Sequence, residues 1–338
     1  MVSVDIYLNE TSRHADVILP PTSNLSRSHY DLLLLQFAIR NVANYSPPVL
    51  EPEPDGLDEW EIMAKLALIA QGQGASADID TADDVAITGL VSHAVGDATN
   101  PLHGRDVEEI LAMLAARRGP ERILDFMLRS GPYGDWFGQR DSYVDHEGAE
   151  QPALSLAFLE ANPHGVDLGP LQPRLPGVLR TPSGKVELAP SELLADVDRL
   201  RGSLARDREG EVVLIGRRDL RSNNSWMHNL DVLVKGKERC TLLVHPTDAH
   251  ALGLVDGALA RVTSRVGKLD VPVEVTDTIR PGVVSMPHGW GHDLDGVALR
   301  VASARPGVNF NVLADEELLD AVSGTVVLNG IPVTVTAV

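Results

Sequence analysis

Hydrophobic and polar positions follow two different periods along this chain, and the change of period divides it. Between about 57 and 200 apolar residues recur at three- and four-residue intervals, whereas beyond 211 they gather in short β-type runs. DEWEIMAKLALIA, from Asp58, puts Trp60, Met63, Ala64, Ala67 and Leu68 on one stripe behind an acidic first turn that suits the helix dipole. VEEILAMLAARRG and PERILDFMLRSG predict two further helices, the first closing on Arg, Arg and Gly, the second opening with Pro. Gly and Pro interrupt most of 131–186, which predicts a long surface excursion carrying one short helix near LSLAFLEA. TPSGKVELAP then predicts a turn into a strand, SELLADVDRLRG a Ser-capped helix, and the charged ARDREGE at 205–211 a linker.

The two ends of the chain differ in kind. VSVDIYL and ADVILP near the start are short β-rich runs without the helix or glycine-rich turn that would complete an α/β unit, so the chain reads as joining such a fold part-way. After 211, EVVLIG, TLLVH, ALARVTS, KLDVPVEVT, GVVSMP and TVVLNGIPVTVTAV predict strands, with PTDAHALGL as one short helix between them. So many strands in about 130 residues predict a closed or nearly closed barrel. The expected fold class is therefore mixed, α+β: a partial α/β region with several helices over 1–205, then a barrel over 206–338.

Composition narrows the function. The chain has 338 residues, 43% of them hydrophobic, enough for two domains with real cores. Lys and Arg total 29 against 48 Asp and Glu, and a net charge of -19 opposes nonspecific binding to nucleic acid or to an anionic membrane. A polyanion could bind only at a locally basic site. The apolar run DLLLLQFAI is too short to span a bilayer, and with no export-type start the expectation is a cytoplasmic protein. The single cysteine, Cys240, excludes an internal disulfide and any iron-sulfur cluster or thiolate zinc site held by this chain alone. It opens the apolar run CTLLV, where a buried, inert thiol is expected.

One locally basic stretch exists. RRDLRSNNSWMHN, residues 217–229, crowds Arg217, Arg218, Arg221, Asn223, Asn224, Ser225, Trp226 and His228 together. Guanidinium groups clamp phosphates and amides match heterocycle edges, so the stretch suits an extended polyanion with planar rings; an Arg-rich loop answering an acidic neighbour is the bland alternative. PHGWGH, 287–292, spaces His288 and His292 as one helical face would for a metal, but Pro287, Gly289 and Gly291 argue against that helix. The glycines instead allow backbone to come close to a ligand, with Trp290 as a wall. RPGVNFNVL adds Asn309 and Asn311, which point the same way if the stretch is a strand. GQGASA at 72–77 follows a helix rather than a strand, and SGK at 183–185 lacks the upstream glycine of a P-loop, so the common nucleotide motifs are not supported.

Taken in order, these segments resemble the C-terminal part of the molybdopterin oxidoreductases, the family that includes formate dehydrogenases and nitrate reductases. ETSRHADVILPP and TPSGKVEL are similar to family segments, and LIGRRDLRSNNSWMHN, HPTDAHALGLVDGALARVTSRVG, IRPGVVSMPHGWGH, GVNFNVL and SGTVVLNGIPVTV to its molybdopterin dinucleotide-binding domain. The resemblance implies a double-psi, aspartate-decarboxylase-like β-barrel over 206–338, gripping a guanine dinucleotide arm of the bis-pterin molybdenum or tungsten cofactor. It places Gly216, Arg217, Arg218, Arg221, Ser222, Asn224, Ser225 and His228 toward the pterin and its diphosphate. His288, Gly289, Trp290, Gly291 and His292 would line the same pocket, with Asn309 and Asn311 at the pterin end. The family's Cys-rich iron-sulfur segment and metal-ligand region have no counterpart here. The resemblance accordingly implies a second polypeptide carrying them, and no metal ligand in this chain; an inactive remnant or interaction module that keeps the barrel without the cofactor is the alternative.

Overall fold

The computed structural model describes residues 1–205 and 210–338, which form two compact units. One unit comprises 2–6 and 17–178; the other comprises Met1, 7–16 and 179–338. This division falls earlier than the expected 205/206 boundary and gives the segment 7–16 to the barrel unit. Residues 206–209 of the expected linker lie outside the described residues.

In the first unit, β1 (Val2–Val4) and β2 (Val17–Leu19) pair in parallel, with a 3₁₀ turn, Ser12–His14, and no α-helix between them in the chain. β3 (His29–Tyr30), β4 (Arg40–Ala43) and β5 (Tyr45–Ser46) follow, then four helices: α1 (Glu59–Ala70), α2 (Ile79–Gly96), α3 (Val107–Leu114) and α4 (Gly119–Ser130). The Glu61 carboxylate accepts from the Asp58 amide at 2.8 Å, closing the start of α1 as the acidic first turn suggests. α2 was not foreseen. Ile87, Val91 and Ala94 are buried on one face, but Thr, Asp, Gly and an exposed Val85 between them blur the period in the sequence.

The expected surface excursion is better built than its composition suggests. β6 (Ser142–Val144) pairs with β7 (Glu150–Pro152), α5 (Leu156–Glu160) follows, and β8 (Val166–Pro170) pairs with β4. Tyr143, Leu154, Leu156, Leu159 and Leu168 from this stretch pack with Ala43 and Tyr45 into a core of their own. Apolar residues placed singly between turns show no period, yet the turns bring them to one side.

The second unit opens with two corrections. TPSGKVELAP forms turns and bends, not a strand. SELLADVDRLRG is two short helices, α6 (Ser191–Ala195) and α7 (Val197–Ala205), and Pro190 rather than the serine occupies the N-cap, because Ser191 is already helical. The barrel strands are β9 (Val212–Arg217), β10 (Leu242–Val244), β11 (Leu259–Thr263), β12 (Lys268–Val275), β13 (Val283–Pro287) and β14 (Asn329–Ala337). Helices α8 (Asp231–Val234) and α9 (Pro246–Leu252) lie between β9 and β11 in the chain. The strands close in the order β10-β12-β11-β14-β9-β13, a closed six-stranded barrel with β9 parallel to β13 and β10 parallel to β12. Alternate residues point inward: Ala260 and Val262 of β11, and Ile331, Val333 and Val335 of β14, are buried while their neighbours are exposed. Leu214, Leu242, Val244, Val271, Val273, Val284 and Met286 complete the barrel core.

Candidate functional site

Parallel pairing explains why the candidate loops meet. β9 and β13 run side by side in register, with Met286 opposite Gly216 and Pro287 opposite Arg217, so the segments 217–229 and 287–292 leave the same rim of the barrel. The third segment joins through its backbone: the Gly291 and His292 amides both donate to the Pro306 carbonyl, at 2.7 and 3.2 Å.

The glycines serve this convergence. A Cβ on Gly289 would lie 2.3 Å from the Asn224 carbonyl oxygen, and one on Gly291 2.5 Å from the Asn309 Cβ, with both glycines at positive φ. The close approach expected of them is therefore to the neighbouring loops. Asn223 and Asn224 also lie at positive φ, where Asn is among the few side chains tolerated. That turn aims the Asn224 Oδ1 at His288 Nε2, 2.9 Å away, and at Arg218 Nη1, 3.4 Å away.

Beneath this rim lies a buried ring cluster. His228 stacks on Trp290 with centroids 3.9 Å apart, and its Nδ1 is 2.8 Å from His292 Nε2. His292 Nδ1 in turn meets Glu10 Oε1 at 2.7 Å. Both histidines are 2% exposed. Burial, and secondly the neighbouring His292, push the His228 pKa down to about 4. Trp290 Nε1 and His228 Nε2 are buried with no hydrogen-bond partner among the described residues.

The remaining predicted residues separate into two groups. Arg217 turns inward: its guanidinium donates to the Ser285, Arg239 and Thr241 carbonyls and to Thr241 Oγ1, so its donors are committed to tying strands together. Ser222 is buried and its hydroxyl donates to the Asp219 carbonyl at 2.9 Å. Gly216 donates its amide to Asn329 Oδ1. Asn309 and Asn311 do not alternate on a strand. Asn309 caps a 3₁₀ turn, Phe310–Leu313, by accepting from the Asn311 amide, since the glycine turn at 307 ends the extended backbone. Arg218, Arg221, Ser225 and Asn311, by contrast, are exposed at the rim.

Two residues were not anticipated as site members. Trp226 stands 72% exposed among the rim donors, although it was visible in the basic stretch. Glu10 lies 282 positions from its histidine partner, and no local spacing could link them. Cys240 is buried beside this cluster and accepts weakly from the Val308 amide, with burial pushing its thiol up to about 11. Among the described residues, no group of three or more His, Cys, Asp or Glu side chains could hold a metal ion.

In the helical unit, a cavity of about 970 Å³ lined by residues such as Tyr30, Tyr45, Trp60 and Arg118 contains none of the predicted site residues. Its charges answer one another: Arg27 pairs with Glu59, Arg118 with Glu61, and the Tyr45 hydroxyl donates to Glu121.

The barrel and its three loops coincide with a known domain, because residues 212–332 match the family model described as "Molydopterin dinucleotide binding domain". The match covers most of the barrel and leaves the helical unit outside it. Similar proteins include reductases and a further oxidoreductase, one of them named as a molybdopterin-containing subunit. The dimethyl sulfoxide/trimethylamine N-oxide reductase of Rhodobacter capsulatus is 24% identical over 86% of this chain and 32% of its own. "Probable oxidoreductase YoaE" of Bacillus subtilis is 22% identical over 86% of this chain and 34% of its own. The molybdopterin-containing subunit ArrA of the arsenate respiratory reductase of Chrysiogenes arsenatis is 32% identical over 32% of this chain and 13% of its own. This chain thus spans about a third of the length of the first two. Acetylene hydratase from Pelobacter acetylenicus shares the fold, with a TM-score of 0.59 at 18% identity over 100% of this chain and 40% of that one.

Proposed function

We propose that the barrel is a molybdopterin dinucleotide-binding domain that holds the guanine dinucleotide arm of a molybdenum or tungsten bis-pterin cofactor, as the C-terminal part of an oxidoreductase. The observation that carries this reading is the convergence of three polar loops on one rim of the barrel, led by the contacts of Gly289 with Asn224 and of Gly291 with Asn309. The residues present fit such a group. Arg218 and Arg221 offer exposed guanidinium donors for a diphosphate, and Asn224, Ser225 and Asn311 offer amide and hydroxyl edges for the heterocycles. The partnerless Trp290 Nε1–H adds a buried donor beside them. His288, whose Nε2 is held by Asn224, keeps Nδ1 as a further acceptor. Arg217 acts from behind, bracing β9, β10 and β13.

When bound, such a cofactor supplies the redox chemistry at its metal, and the protein supplies placement and electrostatics. Guanosine diphosphate is a suitable surrogate for the dinucleotide arm in isothermal titration of the full chain. Binding is expected, with Arg218→Ala and Arg221→Ala each weakening it about tenfold or more through loss of a charge-assisted hydrogen bond. No binding by the folded wild-type chain would overturn the reading.

The same reading includes a partner polypeptide that carries the iron-sulfur and metal-ligand regions. Its support is apolar surface on the helical unit: Leu33, Phe37 and Ile39 are 73%, 75% and 90% exposed, and Val2 and Val17 of the isolated β1–β2 pair are about half exposed. Co-expression with a cysteine-rich partner is expected to slow amide exchange over Leu32–Ile39. Unchanged exchange in a purified complex would remove this surface from the proposal.

A further inference from the structure

Glu10, His292 and His228 form one buried hydrogen-bonded chain, and each of its two links can carry only one proton. The carboxylate of Glu10 is an acceptor, so the proton of the 2.7 Å link sits on His292 Nδ1. If His292 is otherwise neutral, its Nε2 is a lone pair. His228 must then place its own proton on Nδ1 to make the 2.8 Å link, and His228 Nε2 is left as a bare acceptor. If His292 carries two protons, its Nε2–H becomes the donor. His228 Nδ1 must then accept, and the single proton of a neutral His228 moves to Nε2.

We infer that Glu10 is a positioning residue and that this chain is a two-state proton relay, in which the charge at the His292–Glu10 end sets whether buried His228 Nε2 accepts or donates. The proton balance is simple. A proton arriving at His228 Nε2 releases the Nδ1 proton to His292 Nε2, so one proton enters, none leaves, and the charge comes to rest beside the Glu10 carboxylate.

Charge is kept off His228 itself by burial and by His292, although Asp219 and Glu10 act in the opposite sense. Trp290 covers one face of the ring, and the Gly289 backbone faces its edge. In the donor state Nε2–H can hold the Gly289 backbone and so tie the 287–292 loop to the 217–229 loop. In the acceptor state it offers a lone pair that finds no partner among the described residues. Glu10 belongs to the segment 7–16, which docks on the barrel unit through further links: the Ala298 amide donates to the Leu8 carbonyl and Arg13 to the Asp295 carbonyl.

Imidazole nitrogen shifts distinguish the two tautomers and the doubly protonated ring, and they can be read on the full chain, ¹⁵N-labelled at histidine, from about pH 5 to 10. At the alkaline end both His228 and His292 are expected as Nδ1–H tautomers. As His292 gains its second proton, His228 is expected to change to Nε2–H in the same step while staying neutral. In Glu10→Ala, His292 loses its acceptor and both rings are expected as Nε2–H at alkaline pH. Glu10→Gln, whose amide oxygen still accepts, should keep the wild-type pair there. An Nε2–H tautomer of wild-type His228 at the alkaline end, or a His228 that becomes doubly protonated together with His292, would overturn the relay. So would unchanged tautomers in a folded Glu10→Ala protein, and if that variant does not fold the wild-type titration decides alone.

Discussion

His228 shows how much one buried ring constrains the protein. Its folded pKa of about 4 lies below the unfolded value near 6.5, so in that window the unfolded chain binds a proton that the folded chain refuses. The sign follows: the stability it contributes is complete above about pH 6.5 and falls as pH drops toward 4, by up to about 3 kcal/mol. Urea titrations at pH 7 and near pH 4.5 are expected to show a loss of this order in the wild type that His228→Asn lacks; equal losses would remove the linkage. Cys240 gives a second check at this scale. With its thiol pushed up to about 11 by burial, little thiolate exists at pH 8, and a disulfide reagent is expected to react about 100-fold more slowly than with free cysteine until the chain unfolds. The burial of the thiol was legible from the run CTLLV, because a free Cys in an apolar run behaves as a small hydrophobe. The histidine chain was not, because it joins three segments far apart in sequence.

At the scale of elements, two glycines separate backbone conformation from packing. Gly253 caps α9 at φ +66 with open space where a side chain would go, while Gly291 at φ +107 faces the Asn309 backbone. Gly253→Ala is expected to cost about 1 kcal/mol, the price of a left-handed residue alone. Gly291→Ala adds the displacement of the 305–313 segment and is expected to cost about 3 kcal/mol or more, with weakened nucleotide diphosphate binding. Equal losses in thermal unfolding would mean that the loops do not depend on this contact. The strands of the barrel were readable as β-runs before the structure, since alternation such as Ala260–Val262 and Ile331–Val333–Val335 follows directly from the pleat. α2 was missed because Thr, Asp and Gly between its buried residues blur the helical period. The strand expected at TPSGKVELAP, by contrast, does not form on an almost wholly exposed stretch, with Leu188 90% exposed, where no strand among the described residues pairs with it.

Over the whole molecule, a net charge of -19 surrounds a rim bearing exposed Arg218 and Arg221. The two act at different ranges. Repulsion of a diphosphate by the whole chain is screened once the Debye length falls to about 10 Å near 0.1 M salt, whereas contact with a guanidinium persists at shorter distance. The association rate of guanosine diphosphate, followed by stopped flow, is therefore expected to rise as salt increases from about 10 to 100 mM, while its dissociation rate increases steadily. A rate of association that falls from the lowest salt would show that the local arginines dominate even at long range. No helix among the described residues is long and apolar enough to cross a membrane, in keeping with the shortness of DLLLLQFAI.

Sequence by itself determined the period of α1, α3 and α4, the run of strands that closes into the barrel, and the donor-rich composition of the three loops, because these depend on neighbours one to four residues apart. Tertiary structure alone decided which of those donors face outward. Arg217 and Arg218 are adjacent in the chain, yet one is absorbed by carbonyls of other strands and the other stands at the rim. It also brought Glu10 to His292 across 282 positions. Such choices depend on which buried polar groups lack a partner once the strands have paired, and that count exists only in the folded chain.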